Sequence, residues 1–165
     1  MEVGIELDSK SLGEVLSKFE FAEFAASKYF GEALQESTLY TEANVEIRTP
    51  TGYSGYLKAS ISSQLLTELV GSMVGIVSTP AIYAPAAEKG SRPHFPPIEA
   101  LTGKLESLDL WARQKGLNAF AVAKGIARKG TKGKHMFAEG MEASRAGVYS
   151  IFLAKAQEYL NSLKG

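Results

Sequence analysis

The sequence predicts an α+β fold: a long N-terminal helix, a small central antiparallel sheet, short helices, and a long C-terminal helix. Three observations point that way. Apolar residues recur at helical spacing near both ends of the chain. The middle of the chain switches to short runs rich in β-branched residues, separated by glycine, serine and proline. At 165 residues, with apolar residues at 45% and charged residues at 22%, the chain suits one globular domain spanning 1–165.

Taken in order, Leu12, Leu16, Phe19, Ala22, Ala26, Phe30 and Ala33 form the stripe of the first helix. Ser9 or Ser11 serves as its cap, with Glu14 in capping-box position after Ser11, and the helix is expected to reach about Asn44. Pro50, Gly52 and Gly55 then make a loop. A strand is expected from about Leu57 through Leu66, and a second over Ser72–Ser78. Gly71 and Ser72 form the turn between them. Ala81–Ala84 reads as a third short strand. Glu88–Pro97 reads as an irregular loop, because three prolines and a glycine disfavour regular structure.

Helix signals return at Ile98 and strengthen over Leu105–Arg113, ending at Gly116. Asn118 caps a further helix over Ala119–Arg128, closed by Gly130. Gly130–Lys134 reads as a basic, flexible loop. The last helix is expected over about 137–163, with Val148, Phe152, Ala156, Tyr159 and Leu163 on its apolar stripe. Trp111, among leucines, reads as a core residue.

Composition narrows the function classes. Without cysteine there is no disulfide, thiolate zinc site or cysteine nucleophile, and two histidines leave little for a metal site. The carboxylates show no metal-site spacing, so no metal or cofactor is expected. The N-terminal residues lack the basic and apolar regions of a secretory signal. The nineteen uncharged residues from Leu69 to Ala87 are long enough to span a bilayer, but Pro80, Pro85 and several turn formers favour buried strands. A soluble protein with no membrane partner is expected, cytoplasmic at synthesis.

Catalytic motifs are missing. Gly125-Ile-Ala-Arg-Lys-Gly130 spaces its glycines as a phosphate loop does, but Thr131 stands where lysine is required. Ser91, His94 and Glu88 contain the residue types of a hydrolytic triad, yet no nucleophile-elbow motif accompanies them. The expectation is a protein that is not an enzyme.

Charge carries more information. Residues 1–80 hold five basic and eleven acidic side chains, a net −6, whereas residues 81–165 hold thirteen and seven, a net +6. Such asymmetry suits head-to-tail contact between copies, with acidic faces meeting basic ones. The segment 104–134 concentrates the positive charge: Lys104, Arg113, Lys115, Lys124, Arg128, Lys129, Lys132 and Lys134 against Glu106 and Asp109. It reads as a solvated face, a surface for an acidic protein, or a nucleic-acid-binding module that contacts phosphates.

Three motifs in order carry a resemblance. The first is Ser54-Gly-Tyr-Leu-Lys-Ala-Ser-Ile61. The second is Tyr83-Ala-Pro-Ala-Ala-Glu-Lys-Gly-Ser-Arg-Pro-His94, followed by the proline pair and the helix of Trp111. The third is Ile126-Ala-Arg-Lys-Gly-Thr131, followed by Phe137 and a long helix. Together, over about residues 10–163, they resemble the neck-protein family of long-tailed bacteriophages, also described as minor tail or tail-completion proteins. Where that family carries Gly-Thr after the acid, this chain has Gly90-Ser91, and its loop around Gly52–Gly55 is extended.

The resemblance implies a structural virion protein at the head–tail junction, made in the host cytoplasm and without enzymatic activity. Its implied partners are head-closure or connector proteins, the tail terminator or tube, and further copies of itself in a ring. DNA backbone in the lumen is a further implied contact. Glu88, Arg92, His94, Lys129, Lys132 and Lys134 are the candidate partner-binding residues.

Overall fold

The computed structural model describes residues 9–52, 54–67, 73–97 and 108–164, with the backbone alone at 9–16, 18–23, 25 and 67. Helix α1 (Ser9–Arg48) is followed by the short helix α2 (Tyr56–Ala59) and the strands β1 (Ser62–Thr67) and β2 (Met73–Ser78). Helix α3 (Ala84–Lys89), strand β3 (Gly90–Ser91) and helices α4 (Leu108–Gln114) and α5 (Ala119–Lys129) come next. Strand β4 (Thr131–Lys132) leads into helix α6 (Met136–Ser162). The α+β class with long helices at both ends is therefore observed.

Helices α1 and α6 form an antiparallel pair. Val45 lies against Gly140, Tyr40 against Gly147, and the Tyr29 and Phe30 rings against Tyr159. Small residues set the close approach. Ala33, Ser37 and Val45 are buried on α1, Thr49 just past its end, and Met136, Gly140 and Ser144 on α6, mostly at four-residue intervals. A Cβ built on Gly140 would stand 2.6 Å from Val45 Cγ2 and 2.8 Å from Val45 Cα. At about 1.5 Å per residue, the 40-residue α1 is about 60 Å long and the 27-residue α6 about 40 Å. The register brings Ser162, the end of α6, opposite the part of α1 near Phe24.

Strands β1 and β2 pair antiparallel, with Leu65 opposite Gly75 and Ser62 opposite Ser78. This hairpin lies along α1, where Gly75 passes too close to Thr38 to accept a Cβ. A second two-stranded sheet pairs β3 with β4, Ser91 facing Thr131. A small core of Leu57, Ala81, Ala84 and Met136, flanked by Ala87 and Phe137, joins α2, α3 and the start of α6.

Several boundaries differ from expectation. Ser11 lies inside α1 and so is not its cap, and the helix runs on to Arg48. Ordered structure at Leu57 is one helical turn, begun at Gly55 (φ 73°), and the strand starts only at Ser62. The strand expected over Ala81–Ala84 is absent. The Thr79 hydroxyl accepts the Ala81 N–H, and the chain turns through Ile82 and Tyr83 into α3. Pro85 sits in the first turn of α3, where its missing N–H costs nothing, so proline starts this helix. Only 92–97 of the expected loop 88–97 is irregular, and within the expected loop Gly130–Lys134 the residues Thr131–Lys132 pair with β3 as β4.

Other expectations hold. The Asn118 side chain accepts the Ala121 N–H at the start of α5. Gly116 and Gly130 adopt positive φ (66° and 69°) just past α4 and α5. Trp111, by contrast, departs from the expected core position: it is half-buried, because it lines an open groove. The Gly71-Ser72 turn, the helix start at Ile98, and the side chains of Leu12, Leu16, Phe19 and Ala22 lie outside the described residues.

Candidate functional site

Two short pieces of near-identical sequence, Lys89-Gly90-Ser91 and Lys129-Gly130-Thr131, meet face to face in the structure. Gly90 and Gly130 both adopt positive φ (79° and 69°), and a Cβ on either would strike the other segment's backbone. That close approach requires glycine at both places. The Thr131 hydroxyl takes the Ser91 N–H (3.0 Å) and lies 3.0 Å from the Ser91 hydroxyl. The N–H groups of Lys134 and His135 donate to the carbonyls of Ala87 and Glu88, continuing the junction.

Glu88 closes it. Its carboxylate accepts from the N–H of Phe137 (3.0 Å) and of Ala138 (3.1 Å), in the first turn of α6. His135 occupies the N-cap position with φ 50° and its side chain makes no cap bond. Glu88 thus caps α6 from a distance of 49 residues along the chain. A carboxylate there satisfies two N–H groups and complements the positive helix end.

Beside this junction lies a groove of about 480 Å³. Its floor is apolar, including the buried Leu57 and Pro96 and the half-buried Trp111 and Ile126. Its rim carries His94, Lys132 and Lys134, and the loop 50–52 closes one side. The Phe95 ring packs on Phe120 with centroids 6.1 Å apart, which ties the proline loop to α5. All three sequence motifs therefore contribute walls to one groove.

The candidate partner-binding residues divide. Lys132, Lys134 and His94 line the groove, while Arg92 and Lys129 are exposed beside the β3–β4 junction. Glu88 has an internal partner in α6. Among the described residues no ion pair engages Arg92, Lys129, Lys132 or Lys134. Arg113, by contrast, pairs with Asp109 at 3.0 Å.

The structure does not join the triad candidates. The Ser91 hydroxyl lies against Thr131, His94 Nδ1 meets the Arg92 carbonyl at 2.8 Å, and the Glu88 carboxylate sits on α6. The glycine pair Gly125 and Gly130 belongs to α5 and its cap, not to a phosphate-binding loop. Among the described residues no group of three or more histidine, aspartate or glutamate side chains could hold a metal. None of the described helices is long and apolar enough to cross a membrane.

Sequence reasoning missed Thr131 as the partner of Ser91 and Glu88 as the cap of α6. The repeated Lys-Gly-Ser/Thr triplet was the signal available for the first. The second left none, because the cap acts across 49 residues.

The chain matches no known family model, no curated protein and no solved structure.

Proposed function

We propose that this chain is a structural subunit of the neck of a long-tailed bacteriophage, joining head and tail through protein–protein contacts in a ring. One observation carries the assembly reading. The α1–α6 pair leaves large apolar side chains in water on the side away from the core. Tyr149, Leu153 and Leu160 share one face of α6, and Tyr149 is 67% exposed. Ile47 on α1 is 74% exposed and Met141 on α6 is 63% exposed. Soluble monomers rarely leave extended apolar patches uncovered, and such patches mark contact surfaces. The order of the three motifs, and their convergence on one groove, support the neck as the place of assembly.

The test is cryo-electron microscopy of the virion whose genome encodes the chain. Density for the long helix pair, repeated around the axis at the head–tail junction, is expected. Complete virions without that density refute the reading.

A second reading is favoured by the exposed cations Lys124, Arg128, Lys129, Lys132 and Lys134. Here the segment 104–134 binds nucleic-acid backbone. Gly130 and Gly133 pack against residues 88–92 and so do not offer a free phosphate cradle. Binding of duplex DNA that weakens steeply with salt would support this reading.

A further inference from the structure

We propose that the groove seats the C-terminal part of helix α1 from a second copy of this chain, with Ile47 as the anchor and Glu42 and Glu46 on the lysines of the rim. The proposal rests on the reading of the chain as an assembling subunit and specifies one contact of the assembly.

The groove asks for an apolar group flanked by negative charge. Its buried and half-buried apolar lining is Leu57, Pro96, Trp111 and Ile126, and the exposed Lys132 and Lys134 form its rim. The two lysines have no ion-pair partner among the described residues. Two of the polar lining groups are already engaged, the Ser91 hydroxyl with Thr131 and His94 Nδ1 with a carbonyl. An apolar anchor therefore suits the floor better than a polar small molecule. The volume, about 480 Å³, accommodates one or two large side chains.

Helix α1 carries the complementary surface. Leu39, Ala43 and Ile47 recur every four residues and form one exposed row. Glu42 and Glu46 form the adjacent row, and Glu36 lies on the other side. No ion pair engages these three carboxylates among the described residues, whereas Glu32, one turn earlier, is paired with Lys155. An acidic row beside an apolar row is the pattern the groove selects. It also gives the charge asymmetry of the chain a structural use: the −6 half of one copy meets the +6 half of the next. The two surfaces differ, so each copy offers one of each, as head-to-tail assembly requires.

The experiment uses the full chain in two variants, Lys132→Glu/Lys134→Glu and Glu42→Lys/Glu46→Lys, with Ile47→Asp as a third. All substituted side chains are exposed or half-buried, and circular dichroism checks that each variant folds. Sedimentation velocity over a concentration series reads self-association. Each variant alone is expected to need at least about tenfold more protein than wild type to associate. An equimolar mixture of the two charge-reversed variants is expected to recover association, because opposite charges then face each other at both contacts. Ile47→Asp is expected to weaken association, to stay weak when mixed with Glu42→Lys/Glu46→Lys, and to stop at mixed pairs with Lys132→Glu/Lys134→Glu, whose intact helix meets its intact groove.

Variants that associate as wild type does overturn this contact and leave the ring reading standing. A wild-type chain that stays monomeric throughout overturns both. Loss of duplex-DNA binding in Lys132→Glu/Lys134→Glu, with self-association unchanged, assigns the rim lysines to DNA and also overturns the contact.

Discussion

Replacing Glu88 with alanine removes the acceptor from two N–H groups at the start of α6. Those of Phe137 and Ala138 both bond to the Glu88 carboxylate, at 3.0 and 3.1 Å, and His135 offers no side-chain substitute. Losing a helix cap costs about 1 kcal/mol. The missing negative charge at the helix N-terminus adds about 0.5 kcal/mol. The expected loss for Glu88→Ala is thus about 1.5 kcal/mol. For a chain of this size that lowers Tm by about 3–6 °C. Glu88→Gln keeps an acceptor oxygen but no charge, and is expected to lose about half as much.

Two measurements separate a lost cap from general damage. Urea unfolding gives the stability change from the midpoint at constant slope. Amide hydrogen exchange should quicken at Phe137 and Ala138 and stay unchanged near Ser144, deep in the helix-pair interface. A Glu88→Ala midpoint equal to wild type, or exchange that quickens equally along all of α6, refutes the assignment of Glu88 as the cap.

Two glycine substitutions test the packing. Gly140→Ala should destabilise by about 2 kcal/mol despite the better helix propensity of alanine, because the new Cβ meets the Val45 backbone, which cannot yield without parting the helices. Gly125→Ala, on α5 with open space around it, should stabilise by about 0.5–1 kcal/mol. Equal effects in thermal unfolding would refute the claim that Gly140 sets the helix spacing.

Lys155 is held above the usual lysine range, first by its hydrogen bond to Glu158 and then by Glu32 across the helix pair. A raised folded-state pKa means its stabilisation is whole below the ordinary lysine value, about 10.4, and fades as pH rises through the folded value. The stability gap between wild type and Lys155→Met should therefore stay level from neutral pH to about 10 and narrow above it. A gap that does not narrow at high pH would contradict the linkage.

The sequence alone determined what local physics controls. Helical spacing placed the long end helices, Asn118 capped α5, and glycine closed α4 and α5, because spacing, side-chain caps and backbone freedom all act within one or two turns. β-branched residues marked the hairpin strands for the same reason. The candidate site was legible as residue types: a proline loop, a basic glycine segment and an aromatic helix. Its arrangement was not. Ala81–Ala84 and Pro85 read as strand and loop because a short apolar run and a proline have two local meanings, and packing against Leu57 and Met136 selected a turn and a helix. Gly130–Lys134 read as a flexible loop because the hydrogen bonds of Thr131 and Lys134 go to residues 40 and more positions earlier. Glu88 read as a partner-binding residue, because its bonds to Phe137 and Ala138 are equally distant in sequence. Only the tertiary structure brings Lys-Gly-Ser against Lys-Gly-Thr, sets Glu88 on α6 and leaves the rim lysines without an ion-pair partner among the described residues. Those contacts depend on which distant segments meet, and no periodicity within one segment encodes that.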